Sequence, residues 1–265
     1  MKILSLNCQR GYQPGLKEFL QKTLESSEYD FILLQEFAKE VPSYVQGVGP
    51  YDILQAYSEE VEEKSQTVIV HRKAYRLLEQ GYVPFTKMRR DPVAGFRHAT
   101  FGSLMARFDM HNSKVLIGCA HLHSGIDRKV RQAQVRKIKE QALSLAQVGD
   151  MVIFGGDCNF GLPRERVRAE QSMSPQFVCV TGDIGPTLDG RYSENVPHLP
   201  NRIAAFLWFF GVKTPLWTDQ LFIDARTVKQ GKVSCRVLPD RVSDHSPVEL
   251  ALTLGSATIA IPTMR

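Results

Sequence analysis

The chain has 265 residues, which is enough for one large domain or two small ones. Its composition, 43% hydrophobic and 23% charged, is typical of a globular protein and excludes the disordered, collagen-like and disulfide-scaffold classes. Lys and Arg number 33 against 28 Asp and Glu, so the net charge is +5. This mild excess suits a polyanionic partner such as nucleic acid, although many unrelated enzymes share it.

The cysteines and the apolar runs indicate in which cellular compartment the protein is expected. The five cysteines are scattered and none forms a C-x-x-C pair, which argues against a disulfide framework or a structural zinc module. The apolar stretch before Cys8 is too short for a lipoprotein signal. The longest apolar run, residues 203–212, falls short of the roughly 20 residues that span a bilayer. We therefore expect a cytoplasmic protein with no membrane crossing.

The predicted elements alternate between short apolar runs and two amphipathic helices. Residues 3–6 and 31–34 are predicted strands, and residues 14–24 between them carry leucines at helical spacing. A second helix is predicted over residues 126–147, with its Lys and Arg opposite the apolar face. Further strands are predicted at residues 52–55, 66–70, 76–83, 100–108, 114–120, 151–154, 220–223, 232–237 and 247–253.

This order predicts a sheet protein covered by helices. No Pro/Gly/Ser-rich linker, internal repeat or low-complexity tract divides it, so we expect one domain over residues 1–254. Residues 255–265 are predicted to form a peripheral C-terminal tail.

Polar clusters stand at the ends of five predicted strands. The clusters are Asn7, Gln35-Glu36, His121-Leu122-His123, Gly156-Asp157-Cys158-Asn159 and Ser243-Asp244-His245. Each one alone is compatible with a turn or a helix cap. Together they supply what hydrolysis of a phosphodiester needs, because strand ends can present side chains into one cleft. Carboxylates hold a hard cation, amides and histidines grip phosphate oxygens, and an Asp or an Asp-oriented His activates water.

In their order, these clusters resemble the motif set of the endonuclease/exonuclease/phosphatase superfamily. The matching motifs are Leu4-x-x-Asn7, Leu34-Gln35-Glu36, His121-Leu122, Gly156-Asp157-x-Asn159 and Ser243-Asp244-His245, with Asp219 preceding an apolar-aromatic run and Arg131-x-x-Gln134 following the His-Leu motif. The resemblance spans residues 7–245. It implies an α/β fold of the DNase I type, a two-layer β-sandwich flanked by helices.

The resemblance also implies a metal site. Glu36 would be the principal ligand of Mg²⁺ or Mn²⁺, assisted by Asn7 and by Asp244. The cation would neutralise charge on the phosphate and on the leaving oxygen during attack by water in line with the leaving group.

Five further residues receive catalytic roles from the resemblance. Asp157 and Asn159 would position the nucleophilic water and the phosphate, and His121 would contact a phosphate oxygen. His245 would be polarised by Asp219. Whether Asp157 or His245 is the general base stays open.

Two neighbouring residues have competing interpretations. A His-x-His pair made with His123 can bind zinc, but the chain lacks the rest of the metallo-β-lactamase pattern, so a zinc role is not favoured. Cys158 could be a nucleophile, yet a small buried residue pointing away from Asp157 is the favoured interpretation.

The substrate is less defined than the reaction. The segment Thr187-Leu188-Asp189-Gly190-Arg191, with Asn195, is similar to a loop of tyrosyl-DNA phosphodiesterase-like members, whereas His123 replaces the Glu of their His-Leu-Glu-Ser motif. Basic residues interleaved with aromatics between Phe85 and His98 could grip a phosphate backbone, or form a solvated loop. The aromatic stretch over residues 204–217 could line a pocket, contact lipid peripherally or be a buried helix.

We therefore expect a metal-dependent phosphodiesterase acting on nucleic acid or a nucleotide-like substrate. A phospholipid or inositol-phosphate hydrolase is the first alternative. A non-catalytic binding module on the same fold is the second.

Overall fold

The computed structural model describes residues 1–9, 15–38, 42, 44–56, 65–85, 102–110, 113–123, 128–160, 163–188 and 218–254. Its strands are β1 (Lys2–Asn7), β2 (Phe31–Ala38), β3 (Tyr51–Ala56), β4 (Ser65–Arg72), β5 (Arg76–Pro84), β6 (Gly102–Asp109), β7 (Lys114–His121), β8 (Met151–Asp157), β9 (Phe177–Cys179), β10 (Asp219–Asp224), β11 (Gly231–Val237) and β12 (Val248–Leu254). Its helices are α1 (Leu16–Ser26), α2 (Arg128–Leu145), α3 (Pro163–Met173) and α4 (Ala225–Gln230).

These strands form two six-stranded sheets that face each other. The first sheet has the order β11-β12-β1-β2-β4-β3, and the second has the order β5-β6-β7-β8-β10-β9. Each sheet contains a parallel pair, β1 with β2 and β7 with β8. The pair is extended by an antiparallel strand, β12 beside β1 and β10 beside β8. The predicted two-layer α/β sandwich is confirmed.

Apolar side chains fill three layers of this architecture. The interior between the sheets includes Phe31, Phe108 and Ile153, all fully buried. On the outer face of the first sheet, leucines of α1 at helical spacing pack on β1 and β2. On the outer face of the second sheet, Val135 and Ile138 of α2 cover β7 and β8. The helices lie where the sequence periodicity predicts apolar faces.

Every strand predicted from the sequence is present, with its ends displaced by a few residues. Helix α2 occupies residues 128–145 within the predicted range of 126–147. The pattern missed β9, which has three residues, α3, which has eleven, and α4, which has six. Helix α4 is short, but Asp224 accepts a hydrogen bond from the Thr227 amide at 2.9 Å and so caps it. The predicted tail over residues 255–265 lies outside the described residues.

No helix in the described part of the chain is long and apolar enough to cross a membrane.

A buried ion pair makes the fold sensitive to acid. Arg107 donates to both carboxylate oxygens of Asp150 at 2.7 and 3.1 Å. Burial acts to raise the pKa of Asp150, but hydrogen bonds from Arg107 and from the Gln147 amide lower it overall. A carboxyl with a lowered folded-state pKa takes up protons more readily in the unfolded chain. We expect the free energy of unfolding to fall as the pH drops below about 5, towards and through the unfolded-chain value near 4.

Denaturant titrations between pH 3 and 7 measure this effect. Asp150→Asn is expected to lower stability at pH 7 and to flatten its dependence on pH. Asp240→Asn, which changes an exposed carboxyl, is the matched control and should leave the slope unchanged. An Asp150→Asn protein with the wild-type slope would contradict the assignment.

Candidate active site

The polar strand ends predicted from the sequence meet at one edge of the sandwich. Parallel strands β1 and β2 place Asn7 beside Gln35, and parallel strands β7 and β8 place His121 beside Asp157. The first residue of β10, Asp219, pairs with Asp157 from the other side. Strand register therefore sets His121, Asp157 and Asp219 in one row across the second sheet.

Glu36 reaches this edge through an irregularity in β2. The pairing with β4 shifts register between Leu34 and Phe37, which marks a β-bulge. Glu36 has a φ of 47°, in the left-handed region that residues with a Cβ rarely occupy. A bulge re-aims the side chain that it carries. The Glu36 carboxylate consequently lies 3.5 Å from Nε2 of His121 on the opposite sheet.

Two glycines allow the strand that carries Asp157 to approach its neighbours closely. A Cβ on Gly155 would lie 2.0 Å from the carbonyl oxygen of Gln220. Gly156 has a φ of 135°, and a Cβ there would lie 2.3 Å from the carbonyl oxygen of Ala120. No other residue fits at either position without moving the backbone. The Gly-Gly dipeptide therefore fixes the position of Asp157 against both adjacent strands.

Asp157 is the centre of the cluster. Its Oδ2 accepts hydrogen bonds from Nδ2 of Asn7 at 2.8 Å and from Nδ2 of Asn159 at 3.0 Å. Its Oδ1 accepts from the Asn159 amide at 2.9 Å. Nε2 of His121 lies 3.6 Å from Oδ2, and Nε2 of His245 lies 3.7 Å from the same oxygen. Residues from both sheets thus converge on one carboxylate.

His245 is oriented by Asp219. Its Nδ1 lies 2.8 Å from Oδ2 of Asp219, so its other ring nitrogen faces Asp157. The three side chains of His245, Asp219 and Asp157 are almost fully buried. An imidazole held by one carboxylate and aimed at another can carry or move a proton at Nε2.

Burial shifts the ionisation of these groups. It raises the pKa of Asp157 to about 6, with the positive charge of His245 opposing the rise and Asp219 adding to it. For His245 burial acts to lower the pKa, but the Asp219 and Asp157 charges raise it well above the usual value. For Asp219 burial acts in the raising direction, and His245 brings the pKa below its usual value.

Two sets of side chains could hold a metal. Asp157, Asp219 and His245 offer ligand atoms within 4.8 Å of one another, but Nδ1 of His245 and Asp219 already share a hydrogen bond. Burial raises the pKa of Asp244, and the charge of nearby Glu36 raises it further. Two carboxylates that repel each other are a donor set suited to a hard divalent cation. Glu36 and Asp244 are therefore a second pair of oxygen donors that could hold a cation.

Comparison with known proteins identifies the architecture. Neither a family model nor a curated protein sequence matches the chain. Among solved structures, TDP2 of D. rerio in complex with a single-strand DNA product is 18% identical, with a TM-score of 0.69 over 96% of this chain and 98% of that chain. The endonuclease/exonuclease/phosphatase from Bacteroides vulgatus is 14% identical, with a TM-score of 0.70 over 96% and 98%.

This chain has the fold of the endonuclease/exonuclease/phosphatase proteins. Truncated Caenorhabditis elegans TDP2 gives the same result, at 15% identity and a TM-score of 0.69 over 96% of this chain and 97% of that chain. The predicted DNase I-like architecture and the resemblance to this superfamily are confirmed at the level of the fold.

Two residues with competing interpretations, His123 and Cys158, contact α2 and the outer apolar layer of the second sheet. The His123 backbone is held by α2, since its amide donates to Oε1 of Gln134 at 3.0 Å and its carbonyl accepts from Arg131 at 3.1 Å. Cys158 packs in the apolar layer on the outer face of the second sheet. Glu165 of α3, which sequence reasoning missed, binds Arg131 at 2.7 Å.

Cys158 lacks the ionisation that a nucleophile requires. Burial raises the pKa of its thiol well above the usual value, and the charges of Asp157 and Asp219 add to the rise. A thiol kept neutral reacts poorly, because the thiolate is the nucleophile. Cys158→Ala is therefore expected to keep kcat within about twofold in a hydrolysis assay, at a modest cost in stability. Loss of activity with the fold intact would point instead to a thiol mechanism.

Several predicted specificity residues lie outside the described residues. These are Asp189, Gly190, Arg191 and Asn195, the basic and aromatic residues from position 87 to 98, and the aromatic stretch over residues 204–217. Thr187 and Leu188 are described, and Leu188 forms an isolated bridge with His245. The part of the tyrosyl-DNA phosphodiesterase-like segment that is described therefore borders the candidate site.

Proposed function

We propose that the protein is a divalent-metal-dependent phosphodiester hydrolase that acts on nucleic acid or a nucleotide-like substrate. One observation carries the proposal. Asn7, His121, Asn159 and His245 all direct a nitrogen towards the Asp157 carboxylate within 3.7 Å, and they come from both sheets. A buried carboxylate that can act as a base, surrounded by nitrogen donors that can bind phosphate oxygens, is suited to activating water beside a phosphate.

In this proposal Asp157 orients the attacking water and accepts its proton. Asn7 and Asn159 hold the Asp157 carboxylate in place through their hydrogen bonds to it. In this proposal the Asn7 amide and His121 Nε2 contact non-bridging phosphate oxygens, whereas Asn159 donates both of its Nδ2 protons within the protein, to Asp157 at 3.0 Å and to the Leu122 carbonyl at 2.8 Å. His245, held by Asp219, keeps its Nε2 proton facing the same space and stabilises charge that develops on the phosphoryl oxygens.

The metal is assigned to the first sheet. Glu36 is its principal ligand, with Asp244 and the Oδ1 atom of Asn7 as partners, and Mg²⁺ or Mn²⁺ is the cation that suits oxygen donors. When bound, a divalent cation neutralises charge on the phosphate and the leaving oxygen. Asn7 Oδ1 also accepts from the Gln9 amide at 2.9 Å, which fixes its direction.

Nucleic acid is the favoured substrate class for two reasons. The chain carries a net charge of +5, which attracts a polyanion. TDP2 from D. rerio, which shares the fold, was solved with a single-strand DNA product.

The five free thiols in the described structure fit a reducing, cytoplasmic setting.

A substrate panel tests the proposal. Hydrolysis of bis-p-nitrophenyl phosphate, single- and double-stranded DNA, RNA, a 5′-phosphotyrosyl oligonucleotide and sphingomyelin is measured with Mg²⁺, with Mn²⁺ and with chelator. We expect cleavage of at least one nucleic-acid substrate, abolished by chelator. Glu36→Gln is expected to raise the metal concentration needed for half-maximal rate.

Other outcomes would reject parts of the proposal. Cleavage of sphingomyelin alone would favour a phospholipid hydrolase. A folded protein that cleaves nothing in the panel would favour a binding module. Metal-independent cleavage would reject the assignment of Glu36.

A further inference from the structure

Two threonines form a buried hydrogen-bonded chain behind the His245–Asp219 pair. Thr218 Oγ1 donates to Oδ2 of Asp219 at 3.0 Å and lies 3.3 Å from Nδ1 of His245. Thr187 Oγ1 lies 3.2 Å from Thr218 Oγ1 and accepts from the Asp219 amide at 3.1 Å. All four residues are at most 5% exposed. Neither threonine belongs to the cluster around Asp157.

The number of available protons determines which group donates in these hydrogen bonds. A carboxylate can only accept, so the single hydroxyl proton of Thr218 goes to Asp219 Oδ2. At the contact between the two hydroxyls Thr218 can therefore only accept, and the single Thr187 proton serves either Thr218 or the Asp219 carboxyl. The carboxylate oxygen that receives the Thr218 proton is the one bonded to His245 at 2.8 Å. Nδ1 of His245 must consequently be a donor, which leaves Nε2 on the side of Asp157.

Thr187 is also tied to the segment that carries His245. Its carbonyl oxygen accepts from the Ser246 amide at 2.7 Å, and its neighbour Leu188 bridges to His245. One residue thus fixes the backbone on both sides of the pair, at Asp219 and at Ser246. The side chains of Asp219 and His245 are braced from two directions.

We propose that Thr187 and Thr218 are positioning residues that fix the Asp219 carboxylate and, through its hydrogen bond to Nδ1, the orientation of the His245 ring. Their hydroxyl chain holds Asp219 Oδ2 at Nδ1 and so keeps Nε2 of His245 directed at the reacting phosphate. The inference rests on the proposed function for its kinetic consequence. Its structural consequence, the hydrogen bond between Nδ1 of His245 and Asp219, is independent of any activity.

Paired substitutions separate the hydroxyl from the methyl group of each threonine. Thr218→Val keeps the shape and removes the hydroxyl, whereas Thr218→Ser keeps the hydroxyl. We expect Thr218→Val to lower kcat for bis-p-nitrophenyl phosphate by about 10- to 100-fold with KM within about twofold, the range seen when a residue orienting a catalytic group is lost. Thr218→Ser should recover most of the rate. Thr187→Val and Thr187→Ser repeat the test if Thr218→Val does not fold.

Thr227→Val is the matched control. Thr227 is buried, and its hydroxyl donates to Asp224 Oδ2 at 2.6 Å, away from the cluster. The substitution also removes one hydroxyl-carboxylate hydrogen bond, so it lowers stability without touching the pair. Its kcat should stay within about twofold of wild type. A loss equal to that of Thr218→Val would mark a general effect of stability and overturn the proposal.

Nitrogen NMR of the His245 ring distinguishes this inference from the proposed function. In wild type we expect a protonated Nδ1 in slow exchange, and in Thr218→Val a loss of that signal or a clear shift. Unchanged His245 resonances in both valine variants would overturn the inference, whether or not the protein is active. If wild type cleaves no substrate while the resonances shift, the inference stands and the proposed function fails. A Ser variant as impaired as its Val counterpart would also reject the hydroxyl chain.

Discussion

Asp157→Asn is expected to reduce kcat by about 10²- to 10⁴-fold, the contribution of a positioned general base. The amide that replaces the carboxylate cannot take a proton from water. It would also turn an NH₂ group towards the Nδ2 donors of Asn7 or Asn159, which now lie 2.8 and 3.0 Å from Oδ2. Steady-state hydrolysis of bis-p-nitrophenyl phosphate measures the loss.

Controls separate chemistry from folding in this experiment. His245→Ala is expected to cause a loss of similar size, because His245 faces the same carboxylate at 3.7 Å. Asp52→Asn, which changes an exposed carboxyl of β3, should leave kcat unchanged. Circular dichroism and thermal melting show whether each variant folds. A folded Asp157→Asn protein with most of its rate would mean that the site lies elsewhere.

Arg131→Met is expected to lower the free energy of unfolding by about 3–5 kcal/mol, the cost of leaving one charge of a buried pair without its partner. Arg131 binds Glu165 through two hydrogen bonds, at 2.7 and 3.1 Å, and both residues are nearly inaccessible. The pair joins α2 to α3, and Arg131 also holds the His123 carbonyl. Chemical denaturation measures the effect.

The double variant Arg131→Met/Glu165→Met is the control for that experiment. Removing both charges leaves no unpaired ion, so its stability should exceed that of either single variant. Equal losses in the single and double variants would show that packing, and not charge, dominates at this position. Activity of the double variant then reports whether the α2–α3 contact also sets the position of His121.

The sequence patterns predicted most of the fold because the strands are apolar and their ends are polar. The apolar run of β8, followed by Gly-Gly-Asp, predicts a strand that leads to a candidate site residue. Two kinds of element were not predicted. Strand β9 has only three residues, too few to show a period, and α3 was missed because Pro163 in its first turn is a start signal only where a helix is already recognised.

The candidate site was predictable in its residues and not in its geometry. The residue types and their order along the sequence predict Glu36, Asp157 and His245 as site residues. The bulge that directs the Glu36 side chain depends on the pairing of β2 with β4, which the sequence pattern does not contain. Glu165 and Thr218 carried no signal, since an acid in an Arg-rich stretch and a lone threonine are common in solvated segments. Their roles arise from contacts between segments far apart in the chain.

The candidate site takes its residues from both sheets, and the two sheets are formed by different parts of the chain. Strands β5 to β10 form the second sheet as one continuous stretch of chain, while the first sheet is assembled from both sides of it. Asn7 and His245 come from the first sheet's stretches, and His121 and Asp157 come from the second. Neither half carries all of the candidate site residues, so we expect a partly folded form with only one sheet in place to lack the proposed activity.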